Sequence, residues 1–351
     1  MSETIEVREG ESFDLEAVER CLRKNIEGLP EGELEVRQFP SGASNLTYLL
    51  RIGEWEGVLR RPPLGPVPPK AHDMGRESGL CIKLHEAYPL APKPYFFCDD
   101  ESVIGAPFYV MERREGAIVD DSFPPGVEPT EELCRRLSEL VCDTLVELHA
   151  VDPWEAGCGD LGRPEGFLER QTKGWIGRYE KAATDEIEEV HNVTGWLAAN
   201  IPESSETTII HNDFKLNNLL LDPSLTEVRA VLDWEMATLG DPLFDLAVSL
   251  SYWAEYEDPQ EMQEILPTVT SMPGFMTRKE FMDRYAQKSG RDLSEMHWYL
   301  VFGYFKLAAI LQQIYARWQK GQTRDPRFAA FGERVRNLIL HANHLVEKNG
   351  L

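Results

Sequence analysis

The stretch of sequence that decides the fold is residues 209–222, which read IIHNDFKLNNLLLD. One apolar run enters this stretch and another leaves it. Between the two runs, His211, Asp213 and Asn218 form the pattern H-x-D-x-x-x-x-N. A further apolar run ends in Asp233, twenty positions after Asp213. Short apolar runs bounded by polar residues are typical of buried strands, and strand ends are rigid places from which polar side chains can face a cleft.

These polar residues have the chemistry that phosphoryl transfer needs. One carboxylate must hold the attacking hydroxyl and accept its proton, and oxygen ligands must hold Mg²⁺ against the triphosphate. Asp213 suits the first role, and Asn218 and Asp233 suit the second. Glu235 follows closely and is placed to hold the metal directly or through water. The alternative, that all are turn and cap residues, is disfavoured because the complete set occurs together.

The residues before Gly116 predict a small sheet with one helix laid across it. Alternating or apolar segments predict five strands, at residues 33–37, 47–52, 58–60, 95–98 and 108–111. Helical periodicity predicts helices at 12–27 and 74–86, and a turn is expected over Gly53–Gly57.

After Gly116 the pattern becomes helical. Helices are predicted at residues 130–149, 165–183 and 185–200, and the rest of the chain, especially 276–318 and 327–348, is predicted to be helical. Thr130 followed by two Glu is typical of a capped helix start. A β-rich part followed by a larger helical part predicts an α+β protein with two lobes.

The net charge excludes several classes of partner. The chain has 36 basic and 60 acidic residues among 351, which gives a formal charge of −24. Such an acidic protein repels nucleic acid and anionic membrane surfaces. We therefore expect neither as a partner, and the oligomeric state stays open.

The cysteines and the N-terminus favour a cytoplasmic protein. The six cysteines are scattered without a C-x-x-C pair, so they are expected to be reduced packing residues. The first residues lack the basic start and apolar stretch of a secretory signal, and apolar runs stay well short of a membrane helix.

The chain resembles the aminoglycoside phosphotransferase/choline kinase-like family, whose fold is related to that of the protein kinases. It is most similar to the branch found as a kinase-like domain associated with acyl-CoA dehydrogenases. The matching segments are Gln38–Arg51, Val58–Pro63, Val103–Glu112, Asp160–Gly166, His211–Asn218 and Leu232–Ala247. The resemblance covers most of residues 38–250, and the helical stretch 298–318 is also similar.

The resemblance implies a protein kinase-like, two-lobed fold. Residues 1–114 would be a small β-rich lobe that covers the nucleotide. Residues 115–351 would be a larger, mostly helical lobe with the catalytic loop at 209–222, the metal-binding segment at 231–245 and the acceptor-binding helices.

The resemblance also implies roles for individual residues, with ATP bound between the lobes and Mg²⁺ on Asn218, Asp233 and Glu235. The ATP-binding residues that it implies are Ser41, Gly42, Ser44 and Asn45 in the phosphate loop, Arg60 paired with Glu77, and Met111 and Arg113 at the hinge. Asp213, Asn218 and Lys215 would be catalytic, with Lys215 either neutralising the γ-phosphate or pointing to solvent. Arg60 stands where kinases normally have Lys, so the detailed phosphate geometry cannot be copied.

Four further residues are expected to support the catalytic turn. Asn212 stands where relatives often have Gly, and asparagine tolerates a positive φ best among the other residues. Asp241 and Asp245 are expected to cap a helix and brace the turn. His211 is expected to be a buried scaffold residue, since Asp213 fills the role of base.

The sequence therefore indicates a kinase that transfers the γ-phosphate of ATP to the hydroxyl of a small molecule. The acceptor is a hydroxyacyl-CoA or related hydroxy acid by analogy with the branch. An aminoglycoside-, choline- or sugar-type acceptor is the alternative within the enzyme class. A nucleotide-binding regulator without turnover is the alternative outside it, supported only by Arg60.

Overall fold

The computed structural model describes residues 3–40, 45–65, 72–204, 206–323 and 325–348. The predicted phosphate-loop residues Ser41, Gly42 and Ser44 lie outside the described residues. Chain contacts divide the protein into two compact units. The first comprises Met1–Gly116, Ala156–Cys158 and Arg229–Glu235, and the second comprises Ala117–Glu155, Gly159–Val228 and Met236–Leu351.

The first unit contains one antiparallel sheet of five strands in the order β1-β2-β3-β5-β4. The strands are β1 (Glu35–Gln38), β2 (Leu46–Ile52), β3 (Trp55–Arg61), β4 (Pro94–Cys98) and β5 (Phe108–Glu112). Two helices accompany them, α1 (Leu15–Asn25) and α2 (Met74–Ala87), and α2 packs against β4 and β5. The five strands and two helices predicted from the sequence are all present.

The turn between β2 and β3 is shorter than predicted. Ile52 pairs with Trp55, so the turn consists of Gly53 and Glu54 and does not extend to Gly57. Gly53 has a φ of +55°. Two-residue hairpin turns need such left-handed residues, and the tight turn lets β3 begin earlier than its apolar residues suggest.

The second unit is mostly helical. Its helices are α3 (Glu131–His149), α4 (Phe167–Ala182), α5 (Glu189–Ala199), α6 (Pro242–Ser251), α7 (Gln260–Gln263), α8 (Arg278–Ser289), α9 (Met296–Gln319) and α10 (Phe331–Lys348). Its core is built around α9, which packs against α4, α5, α6 and α10. Gly303 makes the approach of α6 possible, because a Cβ there would lie 2.7 Å from the Ala247 carbonyl oxygen.

The region 276–318, which was expected to be helical, contains two helices in the structure. Gly290 ends α8 with a φ of +71°, a conformation that few other residues adopt, and α9 starts six residues later. The remaining strands are short: β6 (Thr208–Ile210), β7 (Leu219–Leu221), β8 (Val228–Val231) and β9 (Thr238–Gly240). β6 pairs with β9 in antiparallel register.

The segment that carries Asp233 belongs to the first unit, whereas the sequence placed all of 231–245 in the C-terminal part. The physical link is the backbone N–H of Val231, which donates to the carbonyl of Leu90 at 2.8 Å. Within the described ranges, no helix is both long and apolar enough to cross a membrane.

Candidate active site

Asp213 lies in the turn that follows β6, with two of the predicted catalytic residues around it. The Lys215 ammonium is 2.9 Å and 3.1 Å from the two carboxylate oxygens. A turn of 3₁₀ helix over Leu216–Asn218 brings Asn218 back, and its Nδ2 donates to the Asp213 carbonyl at 2.8 Å and to the carboxylate at 3.2 Å. The amide oxygen of Asn218 is therefore the atom that can bind a cation.

The turn before Asp213 is strained and firmly anchored. Asn212 has a φ of +68°, as expected for a residue that stands in for glycine. The backbone N–H groups of His211 and Asn212 each donate to the Asp245 carboxylate at 2.7 Å. Asp245 thus braces the turn as predicted, and Asp241 caps α6 by accepting from Leu243.

Asp245 is fully buried and stays charged. Burial alone would raise its pKa, but hydrogen bonds from His149 and the His211 backbone lower the pKa below its ordinary value. His149 lies 3.2 Å from Asp245, and burial lowers the pKa of this imidazole despite the carboxylate. The neutral imidazole accordingly donates from Nε2 to Asp245, and its Nδ1 accepts from the Tyr285 hydroxyl at 2.7 Å.

Two residues near this turn were missed by the sequence analysis. The Lys215 ammonium lies 4.7 Å from the ring centre of Tyr252, and burial together with the Asp213 carboxylate raises the pKa of Tyr252 well above its ordinary value. Lys306, on α9, contacts Asn212 from the core. Nothing local in the sequence marks Tyr252, but a lysine inside an apolar helix is a visible signal.

The first unit holds a second group of predicted site residues. Arg60 on β3 lies 3.3 Å from Glu77 of α2 and donates a hydrogen bond to Asp233. Burial, and then the neighbouring carboxylates of Asp233 and Glu235, raise the pKa of Glu77 to about 7, although Arg60 opposes the shift. The guanidinium of Arg60 is thus shared between the carboxylates of Glu77 and Asp233.

Glu235 is engaged by protein groups. The Nδ2 of Asn45 donates to its carboxylate at 2.9 Å, and His72 lies 3.3 Å from the same oxygen. Arg76 donates to the backbone carbonyl of Glu235 at 3.0 Å. Asn45 therefore connects the end of the predicted phosphate loop to the segment that carries Asp233.

The two predicted hinge residues lie at the end of β5. Met111 pairs with Val58 of β3 and is half-buried. Arg113 forms ion pairs with Glu56 and with Glu3, the latter at 2.8 Å. The guanidinium of Arg113 is therefore occupied by acidic side chains of its own unit.

Two of the predicted metal ligands offer oxygen atoms. Among the described residues, no group of three or more His, Cys, Asp and Glu could hold a metal ion. Asn218 in the second unit offers an amide oxygen, and Asp233 in the first unit offers carboxylate oxygens. Oxygen atoms of these two kinds are ligands that magnesium accepts, and magnesium needs only one or two from a protein when phosphates and water complete its shell.

A small cavity lies beside Tyr252 in the second unit. It is lined by Tyr252, Trp253, Met262, Arg278 and Tyr304, among others, and its volume of about 10 Å³ is room for roughly one water molecule. This cavity is too small to be the acceptor pocket that was expected among these helices.

Fold and motifs together define a phosphotransferase with a protein kinase-like fold. Residues 35–299 match the phosphotransferase enzyme family. The chain belongs to this family, and the expected fold and enzyme class are confirmed.

Several known proteins are similar to the chain in sequence or in structure. The chain is 35% identical to acyl-CoA dehydrogenase family member 11 of Gallus gallus over 95% of its own length and 44% of that protein. A crystal structure from Ralstonia eutropha, provisionally assigned as an aminoglycoside phosphotransferase, is 31% identical with a TM-score of 0.81 and covers 96% of this chain and 99% of that one.

A more distant neighbour is aminoglycoside phosphotransferase APH(4)-Ia in complex with AMP-PNP and hygromycin B. It shows the same fold at 16% identity, with a TM-score of 0.59 and coverage of 93% of this chain and 98% of that chain. The chain spans less than half the length of the curated relatives that it matches.

Proposed function

We propose that this protein transfers the γ-phosphate of ATP to the hydroxyl group of a small molecule. The observation that carries the proposal is the turn 211–218, in which Asp213 is held between Lys215 and Asn218. The acceptor hydroxyl gives its proton to Asp213, its oxygen forms a bond to the γ-phosphorus, and the bond from that phosphorus to the β-phosphate oxygen breaks to release ADP.

The other predicted residues bind the nucleotide and its metal. Asn218 and Asp233 would hold Mg²⁺, which when bound neutralises charge on the phosphates, and Glu235 would act through water. Arg60 would contact the phosphates and Glu77 would orient it. The segment 41–45 would cover the phosphates, and Met111 and Arg113 would lie beside the adenine. The AMP-PNP complex of APH(4)-Ia supports the choice of an adenine nucleotide.

We propose an anionic acceptor, namely a hydroxyacyl-CoA or a related hydroxy acid. The acyl-CoA dehydrogenase relatives support this class. A second support is α4, which carries four basic and two acidic side chains in a chain of net charge −24. Its Arg178 is exposed and stacks on Trp175 at 4.6 Å, and within the described ranges it has no ion-pair partner. A cationic acceptor would instead favour an acidic surface here.

The test is phosphate transfer from labelled ATP to a panel of acceptors. The panel contains hydroxy acids, their CoA thioesters, choline and an aminoglycoside. We expect transfer to the anionic members, and we expect Asp213→Asn to lower kcat about 10²–10⁴-fold, as for other lost general bases. ATP binding without transfer to any acceptor would favour the regulator and contradict the proposal.

Arg178→Met tests the acceptor class separately. We expect it to raise KM for the anionic acceptor and leave KM for ATP unchanged. Arg334, which stacks on Phe331 at 5.3 Å, provides the matched control, so Arg334→Met should change neither value. Transfer to choline or the aminoglycoside alone would overturn the anionic acceptor but keep the kinase.

A further inference from the structure

Lys306 is a cation in the core of the second unit. It lies in the middle of α9 and is only 2% exposed. Removing an ammonium group from water is costly unless the protein supplies partners. A methionine would fill a similar volume without this cost. The contacts of Lys306 therefore indicate the role of its charge.

Within the part of the chain that the structure describes, both hydrogen-bond acceptors of Lys306 belong to one residue of the catalytic turn. Its Nζ donates to the backbone oxygen of Asn212 at 2.9 Å and to the side-chain oxygen of Asn212 at 2.6 Å. The faces of Trp175 and Phe244 lie 5.6 Å and 5.5 Å from the ammonium and enclose it. Asn212 immediately precedes Asp213 and has the left-handed φ of +68°.

We propose that Lys306 is a positioning residue that holds Asn212 in its left-handed conformation and thereby fixes the direction of the Asp213 side chain. This inference rests on the proposed function, in which Asp213 must face the acceptor hydroxyl to accept its proton. A left-handed conformation costs an asparagine free energy, so it persists only where surrounding contacts hold it. Two charge-assisted hydrogen bonds to the same residue are such a hold.

The charges around Lys306 set the pH range in which its ammonium can hold Asn212. Four charged groups act on Lys306: Asp213 and Lys215 in the turn, Asp245 on α6 and Arg178 on α4. Burial outweighs the two carboxylates and lowers the pKa of Lys306 to about 8. Above that pH the ammonium loses a proton, and its hydrogen bonds to Asn212 are no longer strengthened by a charge.

The decisive experiment is a double-mutant cycle between Lys306→Met and Asn212→Gly. Glycine reaches a positive φ without help, so it removes the need for the lysine. We expect Lys306→Met alone to lower kcat about ten- to a hundredfold, the effect of a slightly misplaced catalytic group, with KM for ATP unchanged. In the Asn212→Gly background the same change should cost only a few-fold.

The matched control is Gln312→Met, which removes another buried polar side chain of α9. Gln312 donates to Ala182 and Thr184 and does not contact the turn. We expect this variant to lower the midpoint of thermal unfolding and leave kcat within about twofold of the parent. Equal losses of kcat from Lys306→Met in both backgrounds would overturn the proposal, because the lysine would then act through something other than Asn212.

Two further measurements complete the test, the first without any change to Lys306 and the second without any phosphate acceptor. The pH profile of the unmodified protein should show kcat falling above about pH 8, and Asn212→Gly should flatten that fall. Hydrogen exchange of the segment 209–218 needs no acceptor and should be faster in Lys306→Met. Unchanged exchange in a folded variant would refute the positioning role even if no phosphate acceptor is ever found.

Discussion

Replacing Asp245 by asparagine is the most direct perturbation of the catalytic turn. Each carboxylate oxygen of Asp245 accepts one backbone N–H at 2.7 Å, from His211 and from Asn212. An asparagine keeps one accepting oxygen and presents an NH₂ group to the other N–H. One oxygen of Asp245 also accepts from His149, so the best orientation places the asparagine oxygen there and keeps the bonds from His211 and His149. The change then breaks one charge-assisted hydrogen bond and leaves the buried N–H of Asn212 without a partner.

The size of the effect follows from these two losses. A hydrogen bond to a charged group contributes about 1.5–3 kcal/mol, and an unsatisfied buried donor costs about 1–3 kcal/mol. Removing the charge itself relieves part of the burial penalty, so we expect the free energy of unfolding to fall by about 3 kcal/mol. Because the affected amides flank Asp213, kcat for phosphate transfer should fall as well.

Equilibrium unfolding in urea measures the stability change, and phosphate transfer measures kcat. Asp222→Asn is the matched control, because Asp222 accepts backbone N–H groups of Ser224, Thr226 and Glu227 in another turn of the same unit. The control should lose stability and keep kcat. A loss under about 1 kcal/mol for Asp245→Asn, with kcat within twofold of the parent, would refute the reasoning.

Two other predictions concern packing and pH. Gly303→Ala should destabilise the protein by about 1–3 kcal/mol because the new Cβ meets the Ala247 backbone. Gly195→Ala, with open space around it in α5, should stabilise the protein by up to about 1 kcal/mol. Thermal unfolding of both variants tests this pair of predictions, and equal shifts of the unfolding midpoint would contradict it. Because folding raises the pKa of Glu77 to about 7, the native state keeps a proton that the unfolded chain loses above about pH 4.5. The free energy of unfolding should therefore fall as pH rises between these values. Glu77→Gln should remove this pH dependence, which urea unfolding at several pH values measures. An unchanged pH dependence would show that Glu77 is not its source.

The sequence was most informative where local chemistry decides the structure. The strands of the small sheet follow from alternation, so their cause and effect lie within a pattern that can be recognised locally. The bracing of the turn by Asp245 and the tolerance of a positive φ at Asn212 were instead expected from the family resemblance, in which Asn212 stands where relatives often have Gly.

Contacts between distant parts of the chain could not be predicted in the same way. Tyr252, directly after α6, and Lys306, on α9, lie far from the turn along the chain, and no spacing rule connects them to it. The sequence analysis gave 276–318 as helical without locating the boundary inside it. The signal that could have located the boundary is the mostly polar segment 287–295, QKSGRDLSE, with Gly290 near its centre.

The catalytic turn shows why asparagine at position 212 has consequences that glycine would not have. Glycine would adopt the same φ without help, and no buried lysine would be needed. The side-chain oxygen of Asn212 is a second acceptor for Lys306, and this pairing places a buried ammonium in the core. Asp245 holds the two N–H groups while Lys306 holds the carbonyl, so opposite charges fix opposite ends of the same strained residue. A turn held in this way depends on the protonation of its lysine, whereas a glycine turn would not.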